Sequence, residues 1–402
     1  MTTLQEGVEA MTHADAHFIK RNKGEWFESW AVLKILAEGR ISTLRVSDGT
    51  VSKTDSSVLV NALRTGRSGQ VIDYVLERDE DGRPTRLSIC ESGTTTTLTD
   101  PISIDVVRQD FAAFEEALME AESNASGTFS VKGADELFAK YLFGSGKSPS
   151  SLKQDCELSL IALDGQREEM RGFSIKSYTG GSPTLFNSRQ GAALRYRLGG
   201  HTADTAKQRV LAIQKKNVKS WVVARVNALN DLNAFTADVW AENPVFAKNL
   251  SLLDTNMGTV IGHLLRIGRS SAVNKGNLKE ALEQLIKEDP LGLGSVFAET
   301  YYGFRVRHFL RAAALGMTPA TPWDGNEDAE GGMLVVSADR ELYCLLAGKS
   351  EFERYLIETT YFDTPSTSRL PGYAEIEENA EGVVSFKLHL QIRERDPFRG
   401  TN

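Results

Sequence analysis

The sequence predicts an α/β fold in which helices flank a mixed sheet. Two adjacent segments, 155–164 and 172–177, alternate apolar and polar residues with a period of two, which is typical of strands. Residues 24–37 carry an apolar stripe at helical spacing that includes Trp26. Strand and helix patterns then alternate over residues 333–393. Helices and strands mixed along one chain favour a layered α/β core.

The N-terminal region, residues 1–150, is expected to supply one core helix and a β-rich insertion. The helix is expected over 23–38, and Gly39 is suited to end it because glycine readily adopts the left-handed conformation. Residues from about 42 to about 125 are expected to form this insertion, which is an addition to the core. Within that insertion, strands are predicted at 70–75, 86–89 and 94–98, a hairpin turn at 79–82, and a helix at 110–122.

The second region, residues 151–402, is predicted to hold the rest of the core and to extend it through its C-terminal third. A polar, glycine-rich loop at 178–200 follows the two central strands. Before these strands, and still in the first region, a helix is predicted at 134–142. After them, helices are predicted at 205–216, 250–266, 280–287, 304–315 and 352–358. Further strands are predicted at 220–226, 333–337, 342–346 and 384–393.

Composition restricts the class of protein. The chain has 402 residues, of which 41% are hydrophobic and 25% charged, as in a globular protein. No apolar run approaches the roughly 20 residues that span a bilayer, and we expect a cytoplasmic protein without a membrane partner. The cysteines are too far apart for a paired metal motif or a disulfide framework. A net charge of −8 argues against binding nucleic acid by bulk charge alone, but is compatible with a basic cleft.

The two central strands carry the main candidate for chemistry. Asp155 begins the first strand and Lys176 lies late in the second, so a hairpin would bring them together. A carboxylate that holds Mg²⁺ and an ammonium that stabilises the attacked phosphate are the groups that metal-assisted phosphodiester hydrolysis needs. This arrangement is that of PD-(D/E)xK nucleases, except that Ser174 stands where the second acid usually lies. An Asp and a Lys around a hairpin also occur as solvated edge residues.

A second acid is expected from the N-terminal helix. Glu25 and Glu28 are three residues apart and therefore lie on adjacent positions of one helix face. Glu28 is the preferred candidate for the missing metal ligand, because a neutral serine hydroxyl replaces a carboxylate poorly on Mg²⁺. Glu25 is the alternative. The competing interpretation is an acidic first turn that interacts favourably with the helix dipole.

Other motifs carry less information. Gly144-Ser145-Gly146-Lys147-Ser148 resembles the end of a phosphate-binding loop, but Tyr141 replaces the required glycine and a helix precedes it. The histidines have no zinc-site spacing. Basic residues cluster around 189–197, 207–219 and 305–311, where they would face phosphates or simply solvent.

Four blocks of the chain together resemble the HpaII-type restriction endonucleases. They begin with Asn22-Lys23-Gly24-Glu25-Trp26, include Gly172-Phe173-Ser174-Ile175-Lys176-Ser177, and occur in the family's order. Their positions are 22–26 with 33–39, 172–177 with 181–187, 309–317 with 323–325 and 331–332, and 364–369 with 388–393. The family itself is similar to PD-(D/E)xK nucleases that carry serine at the second acidic position, so Ser174 fits it.

The resemblance implies a PD-(D/E)xK restriction-endonuclease-like core and a type II restriction enzyme. Such an enzyme would use Mg²⁺ to cut both strands of double-stranded DNA at a short G·C-rich palindrome such as CCGG. A cognate DNA methyltransferase would protect the same sites in the host. We expect Asp155, Lys176 and Glu28 to act in catalysis, and Asp155 with Glu28 or Glu25 to bind the metal.

The residues that contact DNA are predicted from residue chemistry and from two of the family blocks. Arg, Gln and Asn read base edges through paired hydrogen bonds. The candidates are Ser182, Asn187, Arg189, Gln190 and Arg369. A homodimer would match a palindromic site. Two alternatives remain open: a DNA-binding protein of the same fold that does not cleave, and a repair or junction nuclease that recognises DNA structure.

Overall fold

Strands and helices alternate along the described part of the chain. The computed structural model describes residues 19–47, 50–65, 71–123, 125, 127–143, 154–161, 165–188, 191–199, 203–216, 218, 220–348, 350–366 and 370–398. By contacts, the chain divides into two units, Met1–Gly39 with Asn61–Ser148, and Arg40–Val60 with Pro149–Asn402. One of the points at which the chain passes between them lies inside the long strand Thr50–Thr65.

The bounds of the elements are as follows. The strands are β1 (Arg21–Asn22), β2 (Arg40–Ser47), β3 (Thr50–Thr65), β4 (Ile72–Arg78), β5 (Pro84–Glu91), β6 (Ile102–Ser103), β7 (Thr128–Phe129), β8 (Cys156–Ile161), β9 (Arg171–Ser177), β10 (Thr184–Phe186), β11 (Ala193–Leu198), β12 (Phe235–Ala241), β13 (Gly332–Val336), β14 (Leu342–Leu346), β15 (Thr360–Phe362), β16 (Ile376–Glu378), β17 (Val384–His389) and β18 (Ile392–Glu394). The α-helices are α1 (Lys23–Glu38), α2 (Ile104–Ser123), α3 (Ala134–Lys140), α4 (Ala203–Ala212), α5 (Trp221–Asp231), α6 (Pro244–Leu253), α7 (Met257–Gly268), α8 (Leu278–Glu288), α9 (Ser295–Leu315) and α10 (Ser350–Thr359).

The first unit is organised around helix α1. The helix begins with a capping box in which the Asn22 side chain accepts from the Glu25 N–H and the Glu25 carboxylate accepts from the Asn22 N–H. It ends at Gly39, whose φ of 67° is left-handed. Trp26 is fully buried against the rings of Phe114 and Phe138. The predicted helix is confirmed, and its apolar face packs against α2.

The sheet of the first unit is antiparallel, in the order β3-β4-β5-β6 for the part of β3 from Asn61 onward. The predicted hairpin turn at 79–82 joins β4 to β5, with Gly82 at φ 73°. The strand predicted at 94–98 is wrong. Those residues form bends and one bridge, between Thr97 and Cys90, with backbone hydrogen bonds to the end of β5. The pairing is therefore too short to form a strand.

The second unit contains a large mixed sheet in the order β2-β14-β13-β9-β8. Strand β9 pairs with β8 antiparallel and with β13 parallel, so it is covered on both edges. Helix α10 packs on β2 and β14, and α9 packs against β9 and β10. The predicted α/β class with helices flanking a mixed sheet is therefore confirmed, while the PD-(D/E)xK topology stays a prediction.

Two smaller sheets complete the second unit, β12-β11-β17-β16 and β10-β18-β15. The strand predicted at 220–226 is wrong, since this segment begins helix α5. Adjacent valines suggest a strand, but Trp221, Val222 and Val226 are buried at helical spacing. The single helix predicted at 250–266 is two, α6 and α7, separated at Asp254, whose backbone is extended.

Within the described residues, none of the helices has the length and apolar character needed to cross a bilayer.

A core leucine tests the packing of the second unit. Leu388 on β17 is fully buried and pairs with Leu194, whereas Leu211 on α4 is 72% exposed. Leu388→Ala should lower the free energy of unfolding by about 2–5 kcal/mol, the usual cost of a cavity. The matched control Leu211→Ala should change it by less than about 0.5 kcal/mol. Urea denaturation measures both, and equal losses would contradict the assigned core.

Candidate active site

The β8–β9 hairpin positions the predicted catalytic pair. Its register places Cys156 opposite Phe173, and the Asp155 N–H donates to the Phe173 carbonyl at 2.8 Å. Asp155 therefore lies across from Ser174. Since alternate residues of a strand point to the same face, Lys176 lies on that face, two residues beyond Ser174. The hairpin brings together the three residues that the sequence singled out.

The Asp155 carboxylate is held in place by the backbone of the neighbouring strand. Its Oδ2 accepts the Ile175 N–H at 2.6 Å and lies 3.5 Å from Ser174 Oγ, at the limit of a hydrogen bond. A backbone donor cannot rotate away, so it fixes the direction of the carboxylate. Among the described residues, Oδ1 has no hydrogen-bond partner, which leaves one oxygen available to a ligand.

Lys176 is partly exposed on the same face. Its ammonium forms neither an ion pair nor a hydrogen bond with any residue that the structure describes. On the edge of β9 that pairs with β13, Val335 lies opposite Lys176 and the buried Met333 lies opposite Ser174. The lysine thus extends from a strand whose partners on β13 are apolar, and its charge is available to an anion.

The turn after Lys176 is anchored in the core. The Tyr178 N–H donates to the Val336 carbonyl at 2.9 Å, and its hydroxyl lies 2.8 Å from that of Tyr355 and donates to Glu394 Oε2 at 2.9 Å. Burial raises the pKa of Tyr178 well above its ordinary value, and the Glu394 charge raises it further. Tyr178 therefore remains a neutral donor, and the end of β9 is fixed.

Glycines allow the chain to pack closely at the opposite end of β9. A Cβ added at Gly172 would lie 2.0 Å from the Asp328 carbonyl oxygen, and one added at Gly331 would lie 2.4 Å from the Phe173 ring. The Gly331 N–H donates to the Gly172 carbonyl at 2.9 Å. A side chain at either position would collide with these neighbours, so both positions require glycine for this close packing.

The acidic side chains around Asp155 limit how many protein ligands a metal ion could have there. Within the described residues, no group of three or more His, Cys, Asp and Glu side chains is arranged around a metal position. Mg²⁺ commonly takes one or two protein carboxylates and completes its shell with water and substrate phosphate. Asp155, with one oxygen open, fits as the principal protein ligand. Ser174 is fully buried and offers only a hydroxyl.

Sequence reasoning missed Glu157, the next acid on the same strand. It lies opposite Gly172, and strand alternation puts it on the same face as Asp155. Gln154 Nε2 donates to its Oε1 at 3.3 Å. The Asp-x-Glu spacing was the available signal. Glu157 is displaced from Lys176 along the hairpin, so it is a less direct candidate for the reacting phosphate.

The two helix acids belong to the first unit and differ in local role. Glu25 forms the capping box of α1, where Oε2 accepts the Asn22 N–H at 2.9 Å. Removing it would leave a helix donor without its partner. Glu28 lies one turn further along, partly exposed between Trp26 and Trp30. The capping role gives Glu25 a structural function in α1, and both assignments as metal ligands remain predictions.

Comparison with known proteins identifies the family. The family model described as HpaII restriction endonuclease matches residues 22–394. This chain belongs to the HpaII restriction endonuclease family. It is also similar to the protein named "Type II restriction enzyme HpaII" of Haemophilus parainfluenzae, at 28% identity over 389 residues, which cover 94% of this chain and 99% of that protein. No solved structure matches it significantly.

Membership of the HpaII family makes the chain a type II site-specific endonuclease that acts on double-stranded DNA. Enzymes of this class generally use divalent metal ions, which is consistent with the open oxygen of Asp155. The family match begins at Asn22 and therefore includes helix α1 as well as the β8–β9 hairpin.

Two of the residues predicted to contact DNA lie in the described part of this HpaII-family chain. Ser182 is partly exposed and its carbonyl accepts from Arg393 Nη1 at 2.9 Å, while Asn187 is exposed. The remaining candidates, Arg189, Gln190 and Arg369, fall outside the described residues, as does the loop 144–148.

Many residues of the predicted basic clusters are paired with acids. The pairs are Arg195–Glu242, Arg197–Asp238, Lys207–Glu378, Lys215–Glu375, Arg305–Asp254, Arg307–Glu353 and Arg311–Glu327. A phosphate would have to compete with the protein carboxylate for each of these side chains. These pairs favour the solvated or structural interpretation of the clusters over a phosphate-binding one.

The role of Ser174 can be tested directly. Because the Ile175 N–H already holds Asp155, Ser174→Ala should leave the rate of DNA cleavage within about tenfold of wild type, as for loss of a marginal hydrogen bond. The matched control is Ser159→Ala on β8, whose Oγ donates to the Glu168 carbonyl at 2.7 Å. Single-turnover cleavage measures both. A loss of two or more orders of magnitude only in Ser174→Ala would make its hydroxyl a ligand.

Proposed function

We propose that this endonuclease makes Mg²⁺-dependent cuts in both strands of a short G·C-rich palindrome, CCGG or a site that contains it. The observation that carries the proposal is the placement of Asp155 and Lys176 on one face of the β8–β9 hairpin, with the carboxylate fixed by the Ile175 N–H. The family membership and the similarity to the H. parainfluenzae enzyme support the choice of site.

The roles of the two residues follow from their surroundings. Asp155 would hold Mg²⁺ through its open oxygen, and the bound ion would supply charge stabilisation at the phosphate and a more acidic water. Lys176 has no acid partner among the described residues, so its ammonium is available to stabilise negative charge on the phosphate and to orient the attacking water. Glu28 is proposed as the second acid.

The partners follow from the same proposal. A palindrome has two-fold symmetry, and a homodimer presents two identical active sites to its two strands. A cognate DNA methyltransferase would modify the same sequence and protect the host genome. Arg369, Arg189 and Gln190 remain proposed base contacts together with Asn187 and Ser182, because Arg and Gln recognise guanine and adenine edges through paired hydrogen bonds.

The first test removes the carboxylate of Asp155 and the ammonium of Lys176 one at a time. Asp155→Ala and Lys176→Ala should each lower the cleavage rate by at least about two orders of magnitude, as expected for losing a transition-state electrostatic contact. Cleavage should also require Mg²⁺ or Mn²⁺ and stop with a chelator. Specific DNA binding should persist in Lys176→Ala, because the lysine acts mainly on the reacting phosphate. Wild-type cleavage in Lys176→Ala would exclude its proposed role.

The second test compares the three candidate acids by charge-removing, size-preserving substitutions. Glu28→Gln should reduce cleavage by at least about two orders of magnitude. Glu157→Gln should have a smaller effect. Glu25→Gln should mainly destabilise helix α1, by about 0.5–2 kcal/mol for a weakened cap. Thermal unfolding separates stability from rate. A larger rate loss in fully folded Glu25→Gln or Glu157→Gln than in Glu28→Gln would refute Glu28 as the second acid.

The third test determines the site and its sensitivity to methylation. Sequencing the ends of fragments from a digested phage genome should give CCGG or a palindrome that contains it. Cytosine methylation within the site should block cutting, because the methyl group crowds the major groove. Arg369→Ala should cost about 1–3 kcal/mol of discrimination if it contacts a base. An A·T-centred site would refute the specificity, and structure-dependent cuts without discrete fragments would favour a junction nuclease.

A further inference from the structure

Strand β18 (Ile392–Glu394) borders both segments that are predicted to face DNA. It is the central strand of the sheet β10-β18-β15. Strand β10 belongs to the first segment, 181–187, and β15 leads directly into the second, which starts at Thr364. The two segments are far apart in the sequence, and this small sheet gives them a common boundary.

On one side, β18 and the residue before it hold the first segment at several points. Arg393 Nη1 donates to the Ser182 carbonyl at 2.9 Å, and the Glu394 N–H donates to the Pro183 carbonyl at 3.0 Å. Further along, Ser188 Oγ donates to Gln391 Oε1 at 3.1 Å. These bonds fix both ends of the short stretch that presents Asn187 to solvent.

On the other side, the same two side chains contact the residue that precedes the second segment. The Asp363 carboxylate accepts Gln391 Nε2 at 3.0 Å and lies 2.7 Å from Arg393 Nε. The Asp363 N–H also donates to the Gln391 carbonyl at 3.0 Å. Gln391 and Arg393 thus each connect Asp363 to the first segment, one through Ser188 and the other through Ser182.

The second segment has its own restraint next to Asp363. Arg269 Nη1 donates to Thr364 Oγ1 at 3.1 Å, and Arg269 is buried at the end of helix α7. Thr364 itself is exposed. Its hydroxyl is therefore held by a buried side chain that cannot easily move.

The contacts among Asp363, Gln391, Arg393 and Ser188 form a network. It is better suited to fixing the relative positions of the two segments than to stabilising the fold. The side chains of Asp363 and Arg393 are about a third exposed, at 31% and 35%, and an ion pair at such a surface contributes little to folding. Gln391 and Ser188 are buried, at 7% and 1% exposure. Hydrogen bonds away from water are stronger and more directional, so this part holds the two segments in one arrangement.

We propose that Asp363, Gln391 and Arg393 are positioning residues. They fix residues 181–187 relative to residues 364–366, the described part of the second segment that is predicted to face DNA. They thereby set the discrimination between the cognate site and sites that differ by one base pair. This inference rests on the proposed function. Base recognition requires several hydrogen bonds to form in one register, so a loose connection between the segments weakens the rejection of wrong bases before it weakens cleavage of the right one.

The test measures single-turnover cleavage of the cognate duplex and of duplexes with one base pair changed. Asp363→Asn keeps the shape of the side chain but removes the charge that faces Arg393. The ratio of cognate to altered-site rates should fall about tenfold, because the substitution removes the ion pair with Arg393 and leaves the Gln391 bond without a charged acceptor. The cognate rate should stay within about threefold of wild type. The matched control is Asp238→Asn on β12, which removes an exposed pair with Arg197 of β11 and should leave the ratio unchanged.

A second variant tests the connection through Gln391. Ser188→Ala removes the hydroxyl that donates to the buried Gln391 Oε1 and should lower the ratio in the same direction. It should also lower the midpoint of thermal unfolding, so the rates are compared at a temperature where thermal unfolding shows the variant to be fully folded. If both substitutions act through Gln391, the double variant should lose less discrimination than the product of the two single losses. Full additivity of the two losses would overturn the shared connection.

The outcomes separate this inference from the proposed function. If the wild type cuts a discrete site while Asp363→Asn and Ser188→Ala discriminate as well as it does, the inference is overturned and the function stands. Equal losses in the Asp238→Asn control would also overturn it, since they would indicate a general surface-charge effect. A wild type that yields no discrete fragments would overturn the function and the inference together.

Discussion

The hydrogen bond from the Ile175 N–H to the Asp155 carboxylate is the contact on which the candidate site depends. It crosses the β8–β9 pair at 2.6 Å, beside the bond from the Asp155 N–H to the Phe173 carbonyl. Asp155 is thus bound to β9 through both its backbone and its side chain. The direction of its open oxygen is set by strand pairing, and strand β9 is in turn held by β13.

Strand β9 and the residues that follow it connect the proposed catalytic residues to the segments that are predicted to bind DNA. Lys176 is followed by Tyr178, which is fixed in the core by Tyr355 and Glu394. Glu394 belongs to β18, whose Arg393 binds the segment that carries Asn187. A short path of contacts therefore runs from Lys176, the proposed catalytic lysine, to the predicted DNA-facing segments. Rigid support of this kind allows an acidic chain to rely on a few placed groups in place of a broadly basic surface.

Local patterns in the sequence predicted what is local in the structure. The β8–β9 hairpin and helix α1 were predicted because alternation and helical spacing depend only on neighbouring residues. The strand predicted at 220–226 failed because burial of Trp221 and Val226 in the second unit outweighed the β preference of adjacent valines. The capping box of Asn22 and Glu25 had a readable signal, three residues apart.

The network around Asp363 had no such signal. Arg393 and Ser182 are 211 residues apart, and only the order of strands in the small sheet brings them together. The family blocks at 181–187 and 364–369 indicated which segments matter, but not which side chains connect them. The second metal-binding acid also had no local signal. Its candidates, Glu25, Glu28 and Glu157, belong to different parts of the chain, and their spacing in the sequence does not rank them.

A crystal structure with cognate DNA and Ca²⁺, which binds without supporting fast cleavage, would test the central assignment most directly. The account predicts a cation about 2.3–2.6 Å from an Asp155 carboxylate oxygen, the usual distance for Ca²⁺ and oxygen. It also predicts that Lys176 Nζ lies within hydrogen-bond distance of the scissile phosphate or its attacking water. A cation held at the scissile phosphate by other residues, with Asp155 still bound only to Ile175, would contradict it.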